Sequence, residues 1–140
     1  MNKLSGLSFI IPTYNEEEAI SETISRVVEV LTATDIPFEI IVVDDGSTDG
    51  TSVLLGQAKL DSLVTLRNPA NSGYGAAIKR GLLEANYDWI GIVDADGSYD
   101  IEAIPLLILE AEKGFDMVVG NRKNIRSMDS WIKSIFVNYF

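Results

Sequence analysis

The sequence contains no cysteine and no histidine. Without cysteine there is no disulfide, thiolate metal centre or cysteine nucleophile, and without histidine there is neither an imidazole ligand nor the usual serine–histidine triad. Carboxylates are left as the main side chains for metal binding and proton transfer. Basic residues are scarce as well: 11 Lys and Arg stand against 21 Asp and Glu, for a net charge of −10. Such an acidic chain has no general attraction to a nucleic-acid backbone, so no nucleic-acid partner is expected. An anionic ligand needs local help from a metal, helix N-termini or a few well-placed arginines. No apolar run approaches the roughly 18 residues of a membrane span. Ile104 to Leu109 is apolar, but Pro105 interrupts it and Glu110 and Glu112 follow. A signal-peptide pattern is missing too, because Met1 to Ser8 is polar and the apolar run Leu7 to Ile11 is too short. A cytoplasmic location is the expectation.

The 140 residues suffice for one domain with a single core and are too few for two ordinary ones. Within them, strand-like and helix-like patterns alternate. Leu7 to Ile11 reads as a first strand ending at Pro12-Thr13-Tyr14-Asn15. Asn15 predicts a helix N-cap, with Glu18 in the capping-box position and Ile20, Ile24, Val27, Val28 and Leu31 forming one apolar stripe. Phe38 to Val43 predicts a second strand that ends in Asp44 and Asp45, and the turn Gly46 to Gly50 leads to a helix starting near Thr48 or Asp49. Val64 to Arg67 is a third strand, Asn68 to Gly75 a loop rich in turn formers, and Ala76 to Ala85 a helix. After a fourth strand, Ile90 to Val93, Pro105 marks a helix start and Gly114 its end. Asp116 to Gly120 reads as a fifth strand, and Trp131 to Phe140 has the apolar spacing of an amphipathic helix. The alternation predicts an α/β domain whose mainly parallel sheet is flanked by helices. In such sheets ligands bind beyond the carboxyl ends of the strands, where all the polar clusters fall.

The fourth strand stops at Asp94-Ala95-Asp96-Gly97. Two carboxylates one residue apart leave an extended backbone in similar directions and can converge on one cation. At about 5 Å they would repel by roughly 3 kcal/mol with an effective dielectric near 20, which a divalent ion offsets. Oxygen ligands suit Mg2+ or Mn2+, which keep positions open for phosphate. The same residues are also ordinary turn formers, since Asp-Gly ends many strands.

A dinucleotide fold needs a glycine-rich turn after its first strand, where this chain has Pro-Thr-Tyr-Asn-Glu, and the P-loop signature is absent. Gly73-Tyr74-Gly75 alone is compatible with a simple turn before a helix. Taken together, however, Ile10 to Glu16, Ile41 to Thr51, Asn71 to Ala77 and Asp94-Ala95-Asp96 resemble glycosyltransferase family 2 in order and spacing. Asn71-Ser72-Gly73-Tyr74-Gly75 with Gly120-Asn121-Arg122 is most similar to the branch that transfers hexose to polyprenyl or dolichyl phosphate. The resemblance implies a GT-A (nucleotide-diphospho-sugar transferase) fold and an inverting transfer from a UDP- or GDP-linked sugar. It implies that residues 1–140 are the donor-binding part of a single catalytic domain, truncated at its C-terminus. It places Pro12, Tyr14 and Glu16 at the nucleotide, Asp44 at the base or ribose, and Gly73 and Asp94 at the donor. Asp94 and Asp96 become metal ligands for Mg2+ or Mn2+, and Asp96 and Arg122 become the catalytic residues at the phosphates. The implied partners are a nucleotide-sugar and a lipid phosphate at the cytosolic membrane face, with peripheral membrane association.

Structural roles compete for several of these residues. Tyr14 is compatible with packing, Glu16 with a first-turn helix charge, Arg122 with a solvated surface, and Asp49 with a cap. Trp131 to Phe140 is compatible with an interfacial helix or with packing. Exposed apolar edges would favour a homo-oligomer. Two other functions stay open: a sugar-nucleotidyltransferase, disfavoured by its glycine-rich basic first loop, and a non-catalytic nucleotide-sugar-binding module.

Overall fold

β-Branched and other apolar residues fill the first two strands so completely that neither face of the sheet can meet water there. The computed structural model describes residues 4–120 and the backbone of Ile135–Asn138. In it β1 (Leu7–Thr13) is buried at every position and β2 (Phe38–Asp44) at its last five. They run parallel, with Leu7 opposite Phe38 and Thr13 opposite Asp44. β3 (Leu63–Arg67) pairs in parallel with the far side of β2, and β4 (Trp89–Ile92) in parallel with the free side of β1. β5 (Met117–Val119) and β6 (Ile135–Asn138) complete a sheet of order β3-β2-β1-β4-β6-β5, with β6 antiparallel to both its neighbours.

The strand order reverses at β1, because the chain builds outward through β2 and β3 before β4 returns to the other side. Loops leaving β1 and β4 therefore diverge above adjacent strands and leave a crevice at their carboxyl ends.

Among the described residues four α-helices cover the sheet. On one face, α1 (Ile20–Thr32) buries Ile20, Ile24, Val27 and Leu31, one stripe at helical spacing. It packs with Leu55 of α2 (Thr51–Gln57), with Ile104 and Ile108 of α4 (Ile104–Ala111), and with Phe9, Ile11, Ile40 and Val42 from the strands. On the other face, Ala77, Ile78 and Leu82 of α3 (Tyr74–Glu84) pack on Ile10, Ile41, Val43 and Ile90. Each fully buried Ile, Leu or Phe stabilises the fold by about 1.5–3 kcal/mol. Among the described residues no helix is long and apolar enough to cross a membrane.

Two expectations are corrected. The first helix starts at Ile20, not at Asn15. Asn15 takes a left-handed φ of 52°, and its side-chain oxygen accepts from the amide of Thr48 at 2.8 Å rather than from its own segment. The stretch expected as a helix near the end contains β6, whose backbone pairs with β4 and β5. Ile135-Phe136-Val137 is a contiguous run of strong strand formers, and the open edge of β4 offers it hydrogen bonds that a helix would leave unmade. Trp131, Ile132, Tyr139 and Phe140 lie outside the described residues. The expected start at Pro105 agrees with α4, where that proline occupies the first turn.

Close approach of the sheet's middle strands depends on Gly91. A Cβ there would lie 2.4 Å from the Phe9 ring, and Phe9 is only 1% exposed, so the ring has nowhere to go. Gly91→Ala is expected to destabilise the protein by about 1–3 kcal/mol through overpacking, measured as a lower urea midpoint with an unchanged slope.

Candidate functional site

The loops after β1 and β2 fold as one unit because each supplies what the other lacks. The Asn15 amide donates to Ser47 Oγ at 2.9 Å, and the Glu16 amide donates to Thr51 Oγ1 at 2.9 Å. In return the Thr48 amide donates to Asn15 Oδ1, and the Gly50 amide donates to Glu17 Oε2 at 2.6 Å. Asp49 serves both sides: its Oδ1 accepts from the Thr51 amide at 2.9 Å and its Oδ2 from the Glu17 amide at 3.3 Å. It acts as a structural acceptor before α2, close to the expected cap role.

The next loop is tied to the same end of the sheet by Asp45, which is 3% exposed. Asn68 Nδ2 donates to Asp45 Oδ1 at 2.6 Å, and the amides of Ser72 and Gly73 donate to its carboxylate at 3.0 and 2.8 Å. Burial pushes this carboxyl up, but the hydrogen bonds from Asn68, Ser72 and Gly73 outweigh it and hold it below the ordinary range. Arg80 on α3 donates in turn to Asn68 Oδ1 and to the carbonyl of Arg67. Gly73 has φ 96°, a conformation that favours glycine, and it directly precedes α3.

A cleft of about 330 Å³ opens at the strand reversal. Pro12, Tyr14 and Glu16 line it from the first loop, and Asp94 and Asp96 from the end of β4. Five of the residues named from the sequence thus share one cavity. Asp44 and Gly73 are not among its lining residues, and Arg122 lies outside the described residues. Asp44 is 1% exposed; its Oδ1 accepts from the Ser47 amide at 2.9 Å, while its Oδ2 is buried without a hydrogen bond. Arg67 Nη1 lies 3.8 Å from Oδ2, and its Nη2 donates to the Ser47 carbonyl.

Negative charge accumulates in the cleft. Burial first, and then the charges of Asp96, Asp49 and Asp94, hold the Glu16 carboxyl above its ordinary range. Asp94 Oδ1 is buried and accepts no hydrogen bond. Asp96 is exposed, and its Oδ1 accepts from the Ser98 amide at 2.9 Å. Tyr74 and Asn71 complete the wall on the α3 side. Asp45 and Tyr74 also line the cleft, although the sequence reading assigned neither a role there. The dense run of turn formers from Asn68 to Gly75 was the available signal for Asp45, since a loop so rich in unpaired amides needs an acceptor.

Comparison with known sequences decides the family: residues 8–136 match the model of Glycosyl transferase family 2. The chain belongs to this family. The family-2 chain is 34% identical over 134 residues to undecaprenyl-phosphate 4-deoxy-4-formamido-L-arabinose transferase of Proteus mirabilis (strain HI4320), covering 94% of this chain and 40% of that protein. Its fold is similar to that of the mannosyltransferase PcManGT from Pyrobaculum calidifontis in complex with GDP-Man and Mn2+, with a TM-score of 0.60, 26% identity, and coverage of 76% of this chain and 33% of that one. S. aureus TarS 1-349 in complex with UDP-GlcNAc gives a TM-score of 0.63 at 28% identity, over 89% of this chain and 36% of that one. The family-2 chain thus spans well under half the length of these relatives. The sheet, the flanking helices and these neighbours make the fold GT-A.

The Asp45 network has a pH signature. Its folded carboxyl lies below its unfolded value, so the stability it supplies is complete above the ordinary carboxylate range and is lost as pH falls below about 4. Asp45→Asn is expected to destabilise the fold by about 2 kcal/mol at neutral pH and to flatten the acid limb of a melting-temperature profile. An unchanged acid limb would assign that limb to other carboxylates.

Proposed function

We propose that this chain forms the donor-binding part of an inverting glycosyltransferase that moves a hexose from a nucleotide-sugar to a polyprenyl phosphate. The observation that carries the reading is the single cleft at the strand reversal, where the Pro12, Tyr14 and Glu16 loop faces Asp94 and Asp96 in a family-2 chain. The undecaprenyl-phosphate transferase from Proteus mirabilis supports the lipid-phosphate acceptor, and the GDP-Man and UDP-GlcNAc complexes support a nucleotide-sugar donor. In this reading Pro12, Tyr14 and Glu16 hold the nucleotide, and the buried Oδ2 of Asp44, which accepts no hydrogen bond, takes a donor N–H or O–H from base or ribose. Gly73 shapes the wall before α3, and Arg122 contributes positive charge at the phosphates.

The donor set in the cleft fits a hard divalent ion, Mg2+ or Mn2+. Asp94 presents a buried oxygen with no hydrogen bond, beside Asp96 and near Glu16, whose carboxyl burial first and then the neighbouring acids hold above its ordinary range. Among the described residues no three acidic side chains converge as a complete metal site, so diphosphate oxygens and water would supply the other ligands. When bound, the cation would offset charge on the departing diphosphate. In the displacement itself, an acceptor phosphate oxygen forms a bond to the anomeric carbon. The bond from that carbon to the diphosphate oxygen breaks, and the nucleoside diphosphate leaves with the electron pair. A phosphate acceptor is already ionised near neutral pH, so the step needs no general base from the protein. Peripheral membrane association follows from a lipid acceptor in this proposal, which takes the cytosolic face as the site of transfer.

The test is calorimetric titration with UDP, GDP, UDP-glucose and GDP-mannose, with and without Mn2+. Manganese-dependent binding of one base is expected. Asp94→Asn and Asp96→Asn are each expected to weaken the manganese-dependent component at least about tenfold while the fold is retained, by analogy with the loss of other metal-site groups. Wild-type affinity in both variants would remove these two residues from the donor site. Binding without transfer to any polyprenyl phosphate would instead favour a non-catalytic module.

A further inference from the structure

The loop that carries Asp94 and Asp96 is held from behind by α1. Thr23, on the buried stripe of that helix and 2% exposed, donates its hydroxyl to the carbonyl of Ala95 at 3.1 Å. A serine or threonine inside a helix ordinarily turns its hydroxyl back to the carbonyl four residues earlier. Ser25 and Thr32 of α1 do so, toward Ser21 and Val28. Thr23 reaches instead to a residue 72 positions away in the chain. One turn further along α1, Arg26 donates from Nε and Nη2 to the Glu102 carboxylate. The segment from Ala95 to Glu102 is thus tied to one helix at both ends.

Side chains at the end of β4 alternate between the two layers. Ile90 and Ile92 pack on the α3 side, whereas Val93 and Ala95 belong to the core on the α1 side. Pairing with β1 continues to Val93, whose amide donates to the Ile10 carbonyl at 3.2 Å. Ala95 is 2% exposed, and the acids that flank it both line the cleft. Its carbonyl belongs to the peptide that leads into Asp96, so rotation of that peptide would re-aim Asp96 relative to Asp94. The hydroxyl of Thr23 opposes that rotation. α1 also reaches the facing wall, because the amides of Ala19 and Ile20 donate to the Glu16 carbonyl at 3.2 and 2.9 Å. One helix therefore spaces the Glu16 loop from the loop of the two acids.

We propose that Thr23 is a positioning residue, whose hydroxyl fixes the Ala95 carbonyl and so sets the directions in which Asp94 and Asp96 present their carboxylates to a divalent cation and the diphosphate it carries. This inference rests on the cation reading given under Proposed function and goes beyond it by assigning a residue outside the cleft that orients the acids. Thr23 is not among the residues that line the cleft, so it acts only through the backbone it holds. A small hard cation demands near-ideal ligand directions, and two acids joined by an unheld peptide would seldom offer them together. The buried bond from Thr23 is the tether that matters, since the exposed pair of Arg26 and Glu102 is of the weak kind.

The experiment measures Mn2+ affinity by electron paramagnetic resonance of the free ion, with UDP or GDP present. It compares the wild-type chain with Thr23→Val, which keeps the shape and removes the donor, with Thr23→Ser, which keeps the donor, and with Asp94→Asn and Asp96→Asn. Nucleotide affinity without metal is measured in parallel, and thermal unfolding checks each fold. Thr23→Val is expected to weaken Mn2+ about tenfold, the lower end for groups that orient metal ligands. Thr23→Ser should bind it like wild type, and metal-free nucleotide affinity should move in neither. Equal losses in the valine and serine variants would assign the effect to packing and overturn the proposal. So would a parallel loss of metal-free nucleotide binding, which marks general damage to the cleft. If the aspartate variants lose Mn2+ while Thr23→Val binds it like wild type, the positioning role is overturned and the cation reading stands. If both aspartate variants bind Mn2+ like the wild-type chain, the cation reading fails and this proposal with it. Should Thr23→Val fail to fold, Thr23→Ala takes its place in the same comparison, with the same loss expected and wild-type affinity again overturning the role.

Discussion

A carboxylate removed from water must be given donors, and Asp45 obtains all of its donors from a different segment of the chain. Asn68, Ser72 and Gly73 converge on it, and Arg80 reaches back from α3 to the same Asn68. Leaving such a group unsatisfied costs several kcal/mol, so the loop after β3 has little freedom to sit elsewhere. This one constraint sets where α3 begins. It therefore sets where Tyr74 and Asn71 stand in the cleft, and the position of one whole wall follows from a charge on the neighbouring strand.

The opposite wall is fixed by a different device. No single buried charge holds the loop after β1; reciprocal hydrogen bonds with the loop after β2 share the task. The result is a rim whose backbone amides are mostly committed to protein acceptors. Recognition of a ligand there would fall to side chains such as Tyr14 and the acidic Glu16. Burial and the neighbouring acids that together raise Glu16 work against the compact state, and a stability surplus from the apolar layers on either side of β1 and β2 lets the fold tolerate this.

Much of this arrangement is legible in the residues because the signals are local. Leu7 to Ile11 and Phe38 to Val43 announce buried strands through composition alone, and the four polar clusters fall where α/β topology places a site. The start of α1 was not legible, because Asn15 and Glu18 satisfy every local rule for a capping box, yet Thr48, more than thirty residues away, takes the Asn15 oxygen. β6 escaped for a related reason: the spacing of Trp131, Ile132, Ile135 and Phe136 suits a helix, while the vacancy beside β4 that selects a strand is visible only in three dimensions. At the site, Asp94 and Asp96 stood out as a pair, whereas the place of Tyr74 beside them in the cleft required the packing of α3 on the sheet to be known first.

What separates scaffold from site among these acids is whether each oxygen has found a donor. Glu39, at the amino-terminal end of the sheet, accepts from Ser8 and from the backbone and side chain of Asn86, and both oxygens of Asp45 likewise accept from protein donors. Asp44 and Asp94 each keep one buried oxygen without a hydrogen bond. Such an atom is unfavourable in the free protein, and the same deficit becomes binding free energy when a ligand supplies the missing partner. An N–H or O–H would serve at Asp44 and a hard cation at Asp94. Asp44 ends β2 and Asp94 follows β4, on either side of β1, so in the proposed reading a donor molecule that reached both would lie across the strand reversal. That orientation would place its diphosphate toward β4 and its base toward β2.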